Sequence, residues 1–182
     1  MHIDIIEKRL ERLKKKWPNK KLILFRHKTL IKKENQFIFE RCINKDNLLY
    51  MRFPGEEKIF IGYGQAIKYS SKNDFTQFSN KTYNIKSNIK TDQIDIFGGA
   101  AFNLKKSTRF PWEHIPKTQF SIPKFLFSFT KNKTHFTYSC LISKHFKIKN
   151  ILSDIENCNN DLNAKPMKEK NKIKLTKKHL IL

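Results

Sequence analysis

Cysteine is scarce in this chain, and its few copies are poorly placed for a disulfide framework. The 182 residues include three cysteines, Cys42, Cys140 and Cys158, an odd number spread widely along the sequence. Disulfide-stabilised secreted domains carry paired cysteines, and zinc knuckles carry CxxC pairs. The sequence excludes both arrangements and favours a reducing compartment, so we expect a cytoplasmic protein.

Long apolar runs are also missing. The amino-terminal stretch MHIDIIEKRLERLKKK mixes charged and apolar residues throughout. A membrane-spanning helix needs about 20 predominantly apolar residues, and a secretory signal peptide needs an uninterrupted apolar core. We therefore expect neither a membrane span nor a signal peptide.

Arginine is rare even though the chain is strongly basic. The net charge is +22, yet 32 of the 38 basic residues are lysine. Proteins that read nucleic-acid sequences rely on the bidentate guanidinium fork of arginine. Lysine, asparagine, isoleucine and phenylalanine are abundant together, as an A+T-rich coding bias would produce. A small basic protein that binds nucleic acid or another polyanion is therefore the alternative interpretation, not the main one.

Motifs that carry catalysis are absent too. The sequence contains no HExxH zinc motif, no GxSxG nucleophile elbow and no GxxxxGK[ST] phosphate loop. None of the histidines has metal-ligand spacing; they are His2, His27, His114, His135, His145 and His179. We assign no catalytic, cofactor-binding or metal-binding residue to this chain.

Three carboxylates are candidates for proton transfer. Glu56 and Glu57 follow a Pro-Gly turn and are predicted to be solvated, whereas Glu113 stands between two rings, where burial would shift its pKa.

Exposed aromatic rings beside lysine could stack the bases of a single-stranded nucleic acid. The alternation of the aromatic residues instead fits the buried side of a sheet; they are Phe97, Trp112, Phe125 and Phe127.

The patterns that are present predict an α+β fold, a mainly antiparallel β-sheet with flanking helices. Apolar residues at helical spacing predict an amphipathic helix within residues 1–20, which packs against the body. Residues 21–145 form a β-rich body, and residues 146–182 form a helix followed by a basic tail. We expect strands in the runs LILF, FIFERCI, LLYMRF and EEKIFIGYGQAIKYS, and a hairpin from SIPKFLFSF and THFTYSCLIS.

Glycine and proline mark three special points in this body. The segment GYGQA, which starts at Gly62, predicts a bulge within a strand. The pair Gly98 and Gly99 predicts a close approach between two backbones. Pro123 cannot donate a hydrogen bond and should lie at a strand start or at a bulge. The polar stretch 74–92 reads as a loop or short helix that Phe75 and Phe78 attach to the body.

These segments together resemble the front part of isochorismate synthases, in the family of chorismate-using enzymes. That family shows a G-x-G-x-A strand, an FGG-x-x-F strand, a tryptophan-acid-x-x-proline segment and an F-x-x-P strand that opens a hairpin. The resemblance covers residues 36–144. The matching positions are Gly62, Gly64, Ala66, Phe97, Gly98, Gly99, Phe102, Trp112, Glu113, Pro116, Phe120 and Pro123.

The resemblance implies two large antiparallel sheets that bind chorismate and magnesium between them. A lysine base, a glutamate acid and the glutamates that hold Mg²⁺ belong to the carboxyl-terminal portion of the family, and the last 38 residues here do not resemble it. We therefore expect an amino-terminal portion that is inactive alone, either a truncated gene product or one half of a split enzyme. It should bind neither chorismate nor magnesium unless a separate catalytic half completes it. Such a portion should leave sheet edges and an apolar face uncovered.

Overall fold

The computed structural model describes residues 3–17, 22–53, 55–71, 94–100, 118–131 and 133–164. Three helices form in this part of the chain: α1 (Ile3–Lys15), α2 (Asn35–Cys42) and α3 (Ile148–Asn163). The strands are β1 (Leu22–Ile31), β2 (Leu49–Phe53), β3 (Lys58–Ser71), β4 (Phe97–Ala100), β5 (Thr118–Thr130) and β6 (Lys133–Ser143). The α+β class is confirmed.

All six strands join one antiparallel sheet. The strand order is β1-β6-β5-β3-β2, and β4 adds to β5 off this path. The central hairpin of β5 and β6 forms as the sequence predicts, because aromatic residues alternate along both strands and share one face. Phe125, Phe127 and Phe136 all lie in the main apolar cluster. The hairpin therefore supplies the middle of the core.

The three helices cover one face of the sheet, which we call the first face. Ile6 and Leu10 of α1 and Ile151 and Ile155 of α3 are buried in the same cluster as Phe127 of the sheet. Their spacing of three or four residues places them on one side of each helix. The amphipathic amino-terminal helix is thus confirmed as a packing element.

One predicted strand is wrong, because the run FIFERCI forms helix α2. Ile38 and Cys42 stand four residues apart and are both almost fully buried, which is the spacing of one helical face. Phe39 faces outward from that pair and packs edge-on against Tyr50 of β2 at 5.3 Å between ring centres. The aromatic and β-branched residues favour a strand, but tertiary packing decides for the helix.

The second face of the sheet is also buried at its centre, which the sequence did not predict. Phe60, Phe97 and Leu126 form a separate apolar cluster there, at most 7% exposed. The expected uncovered apolar face is therefore not found at this position. Large apolar side chains are exposed at the margins instead, as with Leu30 and Tyr50 on the outer strands β1 and β2.

The structure includes no helix, within its described residues, with the length and apolar character needed to cross a membrane.

Candidate functional site

The segment GYGQA forms the predicted bulge in β3. Pairing with β5 shifts register between Gln65 and Ile67, and Gly64 adopts a φ of +64°, which favours glycine. A β-carbon on Gly62 would lie 3.1 Å from that of Pro123, closer than most side chains tolerate. Both glycines therefore allow β3 to bend closely against β5.

Pro123 lies at this bulge, where β5 changes partners. From Phe125 to Thr130 the strand pairs with β6, and from Thr118 to Ser121 it pairs with β4. Proline has no backbone N–H to donate to a ladder. Pro123 lies between these two pairings, opposite Gln65 of β3. Neither β6 nor β4 therefore needs a backbone hydrogen bond from this residue, and β5 continues through the sheet. The predicted placement of Pro123 at a bulge is confirmed.

The Gly98-Gly99 pair brings β4 against β5, but only the first glycine is needed for the close approach. Gly98 has a φ of +150°, and a β-carbon there would collide with the carbonyl oxygen of Gln119 and the α-carbon of Phe120. A β-carbon on Gly99 would meet nothing within 4 Å. The close backbone approach is therefore confirmed at Gly98 and not at Gly99.

The family-like residues in the described part gather around one place in the sheet. We call the residues Gly62, Gly64, Gly98 and Pro123 the motif junction, since β3, β4 and β5 meet through them. The junction consists mainly of backbone contacts and apolar rings, and the nearest charged side chain in the described residues, Lys124, is paired with Asp154 at 2.7 Å. The junction therefore acts as a scaffold. Four further motif positions lie outside the described residues: Phe102, Trp112, Glu113 and Pro116.

The second face also contains a row of buried polar residues that the sequence pattern did not predict. Arg26 is 6% exposed, lies opposite Ser139 across the β1–β6 pairing, and forms an ion pair with Asp95 at 3.3 Å. Thr137, next on the same face, is also buried. A buried arginine needs a charged partner, because its desolvation is costly. The sequence feature that could have indicated this burial is the arginine inside the apolar run LILFRH.

Two histidines differ in their surroundings. His27 on the first face is 8% exposed, and its Nδ1 lies 3.4 Å from Nη1 of Arg9. Burial, followed by the Arg9 charge, lowers the pKa of His27 below its ordinary value. His135 also has a lowered pKa, from desolvation and from Lys28 and Lys133 nearby. Among the described residues, neither histidine has a carboxylate within hydrogen-bond distance that would orient it as a general base. His2, His114 and His179 lie outside the described residues.

Acidification is expected to destabilise the fold through His27. Because its folded-state pKa is lowered, the unfolded chain binds this proton more readily, so stability is complete above about pH 6.5 and falls as the pH drops. The variant His27→Gln should lose stability less steeply between pH 7 and pH 5, by up to about 1.4 kcal/mol per pH unit. Urea denaturation at several pH values measures this slope.

The matched control for this experiment is His145→Gln. His145 is exposed on the turn after β6, and the variant retains His27 and the wild-type slope. An equal slope in wild type and His27→Gln would contradict the assignment.

The thiols are unsuited to nucleophilic chemistry. Burial raises the pKa of Cys42 to about 12 and that of Cys140 and Cys158 to about 11. A catalytic cysteine needs the opposite shift, toward the thiolate. Burial likewise raises the pKa of Tyr63, and that of Tyr138, whose hydroxyl donates to Asp154 at 3.0 Å. These groups stay neutral and contribute packing and hydrogen bonds.

Carboxylates are dispersed over the described surface. Glu56 and Glu57 are exposed after the turn at Gly55, as predicted. In the described ranges no three side chains of histidine, cysteine, aspartate or glutamate come together to hold a metal ion. These residues do not fit a magnesium site, and we derive no step through one.

The aromatic platform that single-stranded nucleic acid would need is not exposed. Phe97, Phe125 and Phe127 are between 0% and 8% exposed, so their assignment to the core is confirmed. Trp112 lies outside the described residues. Because base stacking requires an open ring face, these three rings offer no such surface.

Comparison with known proteins gives one match to a family and several to solved folds. A family model described as chorismate binding enzyme matches residues 8–181, which extends beyond the resemblance at both ends. Seven solved chains match, among them the menaquinone-specific isochorismate synthase MenF from Escherichia coli. That match has 9% identity and a TM-score of 0.49, and covers 92% of this chain and 36% of the MenF chain. No curated protein matches. Because the family model spans nearly the whole sequence, the chain belongs to the chorismate binding enzyme family.

Proposed function

We propose that this chain is the amino-terminal, non-catalytic portion of an isochorismate synthase. The complete enzyme converts chorismate to isochorismate for menaquinone, phylloquinone or siderophore synthesis. The observation that carries the proposal is the family match over residues 8–181. The motif junction supports it, because the glycines and the proline that carry the resemblance hold β3, β4 and β5 together in one sheet.

A separate catalytic portion completes the enzyme in this proposal. It supplies the lysine base, the glutamate acid and the carboxylates that hold magnesium, and chorismate binds only in the completed site. In the described residues the sheet order ends at β1 on one side and β2 on the other. Strand edges of this kind accept another chain through backbone hydrogen bonds. The assembly works in the cytoplasm, where its free thiols stay reduced.

A direct assay tests the proposal. The purified chain, incubated with chorismate and magnesium, is expected to form no isochorismate above the enzyme-free background. A complete isochorismate synthase in the same buffer provides the positive control. Isochorismate formation that scales with the concentration of the purified chain would show that the catalytic groups are present here.

Reconstitution tests the second half of the proposal. A catalytic segment encoded in the same genome, produced separately and mixed with this chain, should form isochorismate at a rate that rises until the two are equimolar. The proposal fails if that genome encodes no such segment, or if the segment has the same activity with and without this chain.

A further inference from the structure

A lysine-rich pocket lies at one end of the sheet, away from the motif junction. It opens between the β5–β6 turn, the end of β1, the first residues of α2 and the start of β3, and has a volume of about 660 Å³. Small-molecule sites typically measure about 300–1,000 Å³. The pocket is a shallow groove open to solvent, with a volume in the range of ligand sites.

Charge in this pocket is predominantly positive. Lys32, Lys33, Lys131 and Lys133 line it, against two carboxylates. One of these, Glu57, lies 3.9 Å from Lys131 Nζ, and both side chains are more than half exposed. An exposed pair at this distance contributes little free energy and is easily exchanged for a ligand. The lining thus keeps a net charge of two positive units for an anion.

The backbone that carries these lysines is fixed by side-chain hydrogen bonds. Thr134 Oγ1 donates to the carbonyl oxygen of Lys33 at 3.2 Å, which ties the end of β1 to β6. Thr130 Oγ1 donates to the carbonyl oxygen of Lys133 at 3.1 Å across the hairpin turn. The ammonium group of Lys33 also lies 5.0 Å from the ring of Phe37. The backbone that carries these lysines is therefore fixed around one space.

Helix α2 begins at Asn35 in the pocket wall. Its N-cap residue is Glu34, the second carboxylate of the lining, and a carboxylate at this position offsets the partial positive charge of the helix end. Below it the apolar side chains of Ile31, Ile59 and Phe129 line the pocket. One region is thus cationic, and an apolar region lies beside it.

We propose that this pocket binds a small organic molecule that carries a diphosphate group. Lysine ammonium groups are compact point charges that bind phosphate without a planar fork, and the described residues of the lining supply lysine as the cation and no arginine. The diphosphate lies among the four lysines, and the organic group covers Ile59 and Phe129. This site is independent of the proposed catalytic assembly and does not rest on it.

Titration of the full-length chain tests the site, with pyrophosphate and ADP as probes in magnesium-free buffer at low salt. Calorimetry should show saturable binding of one molecule per chain, and ADP should bind more tightly than pyrophosphate because of the apolar floor. The double variant Lys131→Gln, Lys133→Gln should weaken both about tenfold. Glu57→Gln should tighten both several-fold, since it removes the competing carboxylate.

The matched control is Lys144→Gln, Lys149→Gln, which removes the same charge. Both residues are exposed and follow the far end of β6, a strand roughly 35 Å long. This control should bind within twofold of the wild type. Equal weakening in both double variants would overturn the pocket in favour of diffuse attraction, and the absence of saturable binding in the wild type would also overturn it. Affinity for oligothymidylate that grows with length, and exceeds that for ADP, would point to nucleic acid and sink the proposal.

Discussion

Replacing Phe127 with alanine is expected to lower the free energy of unfolding by about 3–5 kcal/mol, the range for large-to-small changes in a packed core. Phe127 is fully buried at the centre of the β5 strand, opposite Ile61 of β3 and Phe136 of β6. Its ring centre lies 5.2 Å from that of Phe136. The variant loses this contact and leaves a cavity under the helices. Urea denaturation followed by circular dichroism measures the change.

A peripheral phenylalanine provides the control for this experiment. Phe53 is 37% exposed on the outer strand β2 and touches Phe60 edge-on at 5.9 Å. The same atoms are removed in Phe53→Ala, but less burial is lost, so the expected destabilisation is below about 1.5 kcal/mol. Equal losses at the two positions would mean that Phe127 does not lie at the centre of the core.

The second large effect is expected at Gly98. Gly98→Ala should destabilise the fold by about 3 kcal/mol or more, because overpacking and a strained backbone each cost about 1–3 kcal/mol. The added methyl group would meet the backbone of Gln119 and Phe120, which cannot rotate away. The positive φ of +150° adds strain for any residue with a β-carbon. Thermal and urea unfolding both report the loss.

The neighbouring glycine offers a closely matched control. A β-carbon on Gly99 would enter open space, and its φ lies outside the left-handed region. Gly99→Ala should therefore change stability by less than about 0.5 kcal/mol, as surface substitutions do. Equal loss of stability in Gly98→Ala and Gly99→Ala would contradict this account. It would mean that β4 tolerates a β-carbon at neither position, whatever its distance from β5.

Local patterns predicted those parts of the fold that depend on neighbours in sequence. The β5–β6 hairpin follows from alternating rings, helix α1 from spacing of three and four, and the bulge at Gly64 from two glycines in a strand. The run FIFERCI is compatible with the residue spacing of a strand and with that of a helix. Only the burial of Ile38 and Cys42, four residues apart, identifies the helix. Sequence alone does not decide such cases, because tertiary packing overrides propensity.

The features with functional interest depend on residues that are distant in sequence. Arg26 meets Asp95, 69 positions away, so its burial could not be read from either segment. The lysine pocket combines the end of β1 with the β5–β6 turn near Lys131. Each lysine taken singly is one of 32 in the chain, and composition offered no reason to select four of them. The sheet topology brings them together.

The partner change at Pro123 divides one edge of β5 into two halves, while β3 pairs with both halves along the other edge. The half from Phe125 to Thr130 pairs with β6 in the aromatic hairpin. The half from Thr118 to Ser121 pairs with β4, on the other side of the bulge. We expect a shift in register on the β4 side to end at the proline and bulge, because β6 pairs with β5 only from Phe125 onward. A change in the length of the segments around β4 is therefore expected to leave the β5–β6 hairpin in its present register.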